Sequence, residues 1–171
     1  MIGAEVRRDE VSEAPGKLAE LYRRHGPDAA RLAYLLTGDR ALAEDLAQEA
    51  FVRLYARFRD LRNPDALPWY LRRTVVNLVR SHFRKVKVER AYVKRETRVP
   101  IVAEHDVGAR DEMWQALLGL PERQRAAIVL RYYEDLSEKE TADVLRCPVG
   151  TVKSLTSRGL ERLRGEMSRG E

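Results

Sequence analysis

The sequence predicts an all-α protein of two small helical domains joined by a flexible linker, the second containing a helix-turn-helix. Three observations carry this expectation. Apolar residues recur at helical spacing through most of the chain, and only a short apolar patch near Val99 to Val102 hints at a strand. Between Val86 and about Arg110 the periodicity dissolves into KVKVERAYVKRETRVPIVAEHDVGAR, a charged stretch holding Pro100 and Gly108. The 171 residues are 44% hydrophobic, enough to give two domains of about 70 residues each a core.

Residues 1–16 are polar and are expected to be disordered or loosely ordered. They lack an apolar core, so neither a signal peptide nor a membrane span is expected there. Lys17 to Leu36 places Leu18, Leu21, Tyr22, Leu32, Leu35 and Leu36 at helical spacing, with Gly26-Pro27 as an expected break. Gly38 ends that stretch, and Asp39 is suited to cap the next helix. From Asp39 to Phe58, one arc holds Ala43, Leu46, Ala47, Ala50, Phe51, Leu54 and Phe58. Glu44, Asp45, Gln48, Glu49 and Val52 occupy the other. That stripe fits either a solvated acidic face or a docking surface for a basic partner.

Phe58 to Pro68 reads as a loop with turn chemistry at Asn63-Pro64-Asp65, and Pro68 is placed to open a helix. The loop carries Arg59 and Arg62. Trp69 to Arg84 is helical, with Arg72, Arg73, Arg80 and Arg84 interleaved with Tyr70, Asn77, Ser81 and Phe83. Cations suit phosphates, aromatics stack on unpaired bases, and Asn or Ser can read base edges. A generic basic face is the alternative. The first domain is expected over 17–90, a linker over 91–110 and the second domain over 111–171.

In the second domain a helix runs to Leu118 and Pro121 opens another at PERQRAAIVLRYYED. Ser137 is an N-cap with Glu140 three residues on, and a Cys147-Pro148 turn separates two short helices. At 100° per residue, Gly150, Lys153, Ser154, Ser157, Arg158 and Glu161 fall within about 140° of one another, opposite Val152, Leu155, Thr156, Gly159, Leu160 and Leu163. A small-polar and basic face carried on a preceding amphipathic helix fits a DNA major groove, with an ordinary surface helix pair as the alternative.

Charge is segregated along the chain. The net charge is only +5, yet Arg57 to Arg98 holds thirteen Lys or Arg against four acids, and Asp39 to Ala50 holds four acids against one Arg. Such a pattern suggests two partners, one polyanionic and one basic. The lone Cys147 excludes an internal disulfide, and His25, His82 and His105 have no ligand spacing, so no metal and no cofactor is expected. Nothing approaches 18 consecutive apolar residues, and a soluble cytoplasmic protein is expected.

Taken in order, these parts resemble the extracytoplasmic-function class of bacterial RNA polymerase sigma factors. DRALAEDLAQEAFVRLYARF is similar to the family's helix that docks on core polymerase. WYLRRTVVNLVRSHFRK resembles its minus-ten reading helix, and LPERQRAAIVLRYYEDLSEKETADVLRCPVGTVKSLTSRGLERLR its minus-thirty-five reading domain. The resemblance implies promoter recognition and opening in company with core RNA polymerase, without enzymatic activity. It implies core contact through Asp45, Gln48 and Glu49, and capture of a flipped base by the Phe58 to Leu67 loop with Arg59 and Arg62. It also implies minus-ten contact through Arg73, Asn77, Arg80, Ser81 and Arg84, and groove contact through Lys153, Ser154, Ser157 and Arg158. Relatives are often held off DNA by an anti-sigma factor, and no residue here identifies one.

Two positions depart from the family pattern. Leu155 stands where many relatives carry Arg, and Tyr70 where a Trp is usual. The SLTSR run after Lys153 looks closer to an actinobacterial subgroup. Two rivals remain: a stand-alone helix-turn-helix regulator, which leaves the Arg57 to Arg98 basic stretch unexplained, and a recombinase, whose α/β catalytic domain the amino-terminal half does not suggest.

Overall fold

The computed structural model describes residues 9–58, 64–96 and 112–168. Among these, no residue is in a strand and seven α-helices form: α1 (Asp9–Thr37), α2 (Arg40–Phe58), α3 (Leu67–Glu96), α4 (Glu112–Leu118), α5 (Glu122–Ile128), α6 (Glu138–Leu145) and α7 (Val149–Met167). A 3-10 turn at Pro64–Ala66 leads into α3, and a π-helical segment at Val129–Tyr133 continues α5. The Val99 to Val102 patch and the linker from residue 97 onward lie outside the described residues, as do residues 1–8.

Local chemistry fixes the α1–α2 corner. Gly38 adopts φ +74°, a left-handed conformation that only glycine takes without strain. Its N–H donates to the Tyr34 carbonyl at 2.8 Å, closing α1. Asp39 then accepts from the Leu42 N–H at 3.0 Å, so it caps α2 as its sequence position suggests. The two helices fold back on each other, burying Ala29, Leu32, Ala33, Leu36, Ala43, Leu46, Ala47, Ala50 and Leu54. Leu71, Val75, Val76 and Val79 of α3 complete this core.

Three boundaries differ from expectation. α1 runs unbroken through Gly26-Pro27. A mid-helix proline costs about 3 kcal/mol. Burial of Ala29, Leu32 and Ala33 beyond it, and of Leu18 and Leu21 partly before it, outweighs that cost. Gly26 itself is buried, with space for a Cβ only 3.4 Å from the Tyr22 ring. α1 also begins at Asp9 rather than after residue 16. α3 extends to Glu96, into the stretch expected to be linker; its Lys, Arg and Glu residues favour helix without any apolar stripe.

In the carboxy-terminal half, α5 and α7 cross at Gly159. A Cβ there would lie 2.5 Å from Ile128 Cδ1, so any larger residue would force the buried Ile128 side chain or α7 to shift. Ala126, Ala127, Ile128, Val129, Leu130, Val144, Leu145, Val152 and Leu163 fill the core around it. The two halves also meet. Tyr34 stacks on Trp114 with centroids 4.8 Å apart and planes at 27°, and the Arg125 guanidinium lies 5.7 Å from the Phe83 ring centroid.

Candidate nucleic-acid and docking surfaces

On α2 the helical period separates two faces. Ala43, Leu46, Ala47, Ala50, Phe51 and Leu54 are buried, while Glu44, Asp45, Gln48 and Glu49 are exposed. Val52 lies on the same outward stripe with 67% of its surface exposed. Glu49 Oε1 meets Arg53 Nη2 at 2.5 Å, a surface i,i+4 pair that contributes little to stability. An exposed apolar residue flanked on one side by carboxylates and an amide can accept a basic, partly apolar partner surface.

On α3, Arg73, Asn77, Arg80, Ser81 and Arg84 fall within about 100° of one another, with Trp69 and Tyr70 at the amino-terminal end of the stripe. Arg73 lies over the Trp69 ring, 5.1 Å from its centroid, which holds the guanidinium beside an aromatic face. Trp69 and Tyr70 meet edge to face at 4.9 Å. Asn77 and Ser81 are half-buried and Arg84 is exposed. Arg80 is half-buried, and its Nη1 donates to the Leu145 carbonyl at 2.9 Å. Arg59 and Arg62 lie outside the described residues.

The α6–turn–α7 unit is built by caps. Ser137 and Glu140 form a reciprocal capping box, with Glu140 N–H to Ser137 Oγ at 3.2 Å and Ser137 N–H to Glu140 Oε2 at 2.8 Å. The Ser137 hydroxyl and then the Ser137 N–H hold the Glu140 carboxyl below its ordinary range. The box's stabilisation is therefore present above the ordinary carboxylate pKa and is lost as pH falls through the depressed one. Ser137→Ala should lower stability by about 1 kcal/mol, measured by urea unfolding at neutral pH. The same variant should lose less at acid pH, where the wild-type box is already weakened.

α6 ends at Arg146, which takes the left-handed conformation at φ 52°, and Pro148 opens α7. Gly150, Lys153, Ser154, Ser157, Arg158 and Glu161 are exposed, while Val152, Gly159 and Leu163 are buried and Leu155, Thr156 and Leu160 half-buried. Leu155 packs partly against the core. Lys153 Nζ sits 3.6 Å from Glu138 Oε2, a solvated pair with side chains 63% and 42% exposed, open to competition from phosphate. Ser154 Oγ donates to the Thr151 carbonyl at 3.0 Å, and Ser157 Oγ to Glu161 Oε1 at 3.4 Å.

Sequence reasoning missed the groups that face across the two halves. Arg72 Nε meets Glu134 Oε2 at 2.7 Å, with the side chains only 24% and 20% exposed. Arg125 is 7% exposed, donates through Nη1 to the Leu118 carbonyl at 2.7 Å, and is lowered in pKa by burial. Glu122 is raised by burial, against the opposing pull of Arg80, Arg125, Arg123 and Arg84. Helical period places Arg72 on the basic helix but marks none of these as facing the other half, because the partners across the halves are distant in sequence. The described residues hold no group of three or more His, Cys, Asp or Glu placed to hold a metal ion.

Comparison with known proteins agrees with this architecture. The Sigma-70 region 2 profile matches residues 21–88, and the Sigma-70 region 4 profile matches residues 110–163. The RNA polymerase sigma-E factor of Streptomyces coelicolor is 35% identical over 150 residues, spanning 86% of this chain and 85% of that protein. The ECF RNA polymerase sigma factor SigW of Bacillus subtilis is 31% identical over 153 residues, spanning 80% of this chain and 81% of that protein. A solved structure of the sigma factor RpoE with the anti-sigma factor NepR from Bartonella quintana superposes with TM-score 0.70 at 24% identity, covering 89% of this chain and 97% of that one, a likeness of fold. With regions 2 and 4 matched in order and relatives above 30% identity along most of their length, the chain belongs to the extracytoplasmic-function sigma factors of the sigma-70 family.

Proposed function

We infer that this chain binds core RNA polymerase and directs it to promoters, which it opens for transcription initiation. The observation that carries this reading is the segregation of an exposed acidic face on α2 from two cationic faces, one half-buried on α3 and one exposed on α7, around buried apolar cores. Residues 17–90 act as region 2, residues 111–171 as region 4 and residues 91–110 as the connection. Asp45, Gln48 and Glu49 grip a basic surface of core polymerase. Arg73, Asn77, Arg80, Ser81 and Arg84 take the minus-ten element, with Arg59 and Arg62 in the loop that captures an extruded base. Such capture offsets a few kcal/mol of unstacking. Lys153, Ser154, Ser157 and Arg158 read the minus-thirty-five element in the major groove. The chain acts in the cytoplasm and is not a catalyst. No helix of the described residues is long and apolar enough to cross a membrane.

Phosphate contacts supply salt-dependent affinity and a few groove contacts supply discrimination. Each domain alone is weak, and tethering both to core polymerase makes the two contacts effectively one. Transcription with purified core polymerase on a genomic template library should start at discrete sites only when this chain is added. Tight, specific promoter binding by the free chain in an electrophoretic assay would instead point to a stand-alone regulator. Arg158→Ala should weaken recognition of the upstream element by about 1–3 kcal/mol, read as transcription from the cognate promoter by the variant holoenzyme. Undiminished transcription would remove Arg158 from the groove.

A further inference from the structure

We propose that the DNA-contacting stripe of α3 does not end at Arg84 but runs on over Val88 and Tyr92. This extension lies in the major groove of the closed duplex bordering the minus-ten element and packs on thymine methyl groups there. It rests on the assignment of the stripe to promoter contact. At 100° per residue Asn77, Ser81, Arg84, Val88 and Tyr92 fall within about 80° of one another, so the last two continue the row on the same face. Val86, on the opposite side, is half-buried, which fixes the orientation of these turns. Val88 is 52% and Tyr92 72% exposed. Tyr92 makes no ring contact and no hydrogen bond among the described residues. The pair faces away from the core and does nothing to seat α3.

Single apolar residues on a surface are ordinary. Here two stand one turn apart, in line with a nucleic-acid stripe and bordered by cations. Exposed Lys85 lies about 60° to one side of Val88 and exposed Lys87 about 100° to the other. The acid Glu89 is exposed about 100° from Val88, outside the row. Apolar side chains between flanking cations match a DNA groove, with methyl groups on its floor and phosphates along both rims. The major groove, about 12 Å wide, admits a helix and presents the thymine C5 methyl to apolar side chains. An acidic protein surface would meet the same cations, but continuity with Asn77 and Ser81 favours DNA. The order of residues along α3 fixes which base pairs these are. Trp69 and Tyr70, suited to unpaired bases, stand at the amino-terminal end, and cations crowd toward the carboxyl end. The carboxyl end therefore lies on base pairs that stay closed. Arg84 to Tyr92 spans about 12 Å of helix, or about three to four base steps of 3.4 Å.

The test uses holoenzyme assembled from the full chain and core polymerase, on a cognate promoter fragment with A·T pairs in about five positions bordering the minus-ten element on its closed, upstream side. Replacing those thymines by deoxyuridine, which lacks only the methyl, should weaken open-complex formation by the wild type about fivefold. Val88→Ala with Tyr92→Ala should weaken it about tenfold on thymine DNA and make it indifferent to the deoxyuridine exchange. Lys85→Ala with Lys87→Ala should keep the methyl dependence and lower the slope of log affinity against log salt by about 2. All four positions are exposed and alanine is the stronger helix former, so helical content and recovery of core polymerase should stay at the wild-type level. No deoxyuridine effect on the wild type, or an equal effect on the Val88, Tyr92 variant, would overturn the extension. Loss of core recovery by that variant would also overturn it, by making the pair a protein contact. The stripe assignment fails separately, if Asn77→Ala leaves promoter opening by the holoenzyme intact.

Discussion

Asp45→Arg should abolish recovery of core RNA polymerase in a pull-down while leaving the helical content and melting temperature of the free chain unchanged. Asp45 is exposed on α2, one helical turn from Gln48 and Glu49, and its side chain supports nothing in the core. Arginine is also the better helix former, so the substitution carries no local penalty. At the interface the sign reversal places like charges together, which costs several kcal/mol. A loss of about 3 kcal/mol weakens binding by roughly two orders of magnitude, so recovery should vanish at protein concentrations well below the weakened Kd. Recovery of core polymerase at wild-type level by the variant would exclude the acidic stripe as the docking surface. Gln48→Ala, which removes an amide without adding charge, should give a milder loss in the same assay.

What could be read from the sequence was whatever depends on period and on short-range chemistry. The division of α7 into an exposed polar face and a buried apolar one follows from 100° steps, because a helix must put one stripe against its core. Asp39 and Ser137 were legible as caps because each satisfies backbone donors within three residues of itself. Gly26-Pro27 misled for the opposite reason: local chemistry disfavours helix there, and burial of residues on both sides overrides it. The extension of α3 to Glu96 rests on intrinsic propensity, which leaves no apolar pattern to find. Arg72 and Arg80 looked alike as members of a basic helix. Their different partners, Glu134 and the Leu145 carbonyl, are sixty or more positions away in sequence and exist only once the halves meet.

Gly159→Val should destabilise the carboxy-terminal half by about 2–4 kcal/mol, because overpacking a closed site adds to the loss of a favourable crossing. The position where a Cβ would stand is 2.5 Å from Ile128 Cδ1, 3.3 Å from Ile128 Cγ1 and 3.5 Å from Gln124 Cβ. Ile128 is 4% exposed, so its terminal methyl cannot swing into solvent. α7 would be pushed off α5, and the groove face it carries would tilt with it. The melting temperature should fall by about 10 °C. Two controls separate sterics from helix propensity. Gly165, on the same helix with nothing within 4 Å of its missing Cβ, should tolerate alanine with a gain of up to about 1 kcal/mol. Adding Ile128→Ala to Gly159→Val makes room for the new methyls and should recover part of the loss, as volume-conserving exchanges do. A Gly159→Val chain that melts like wild type would mean that α5 and α7 do not approach this closely, and the outward presentation of Lys153 and Arg158 would then need another support.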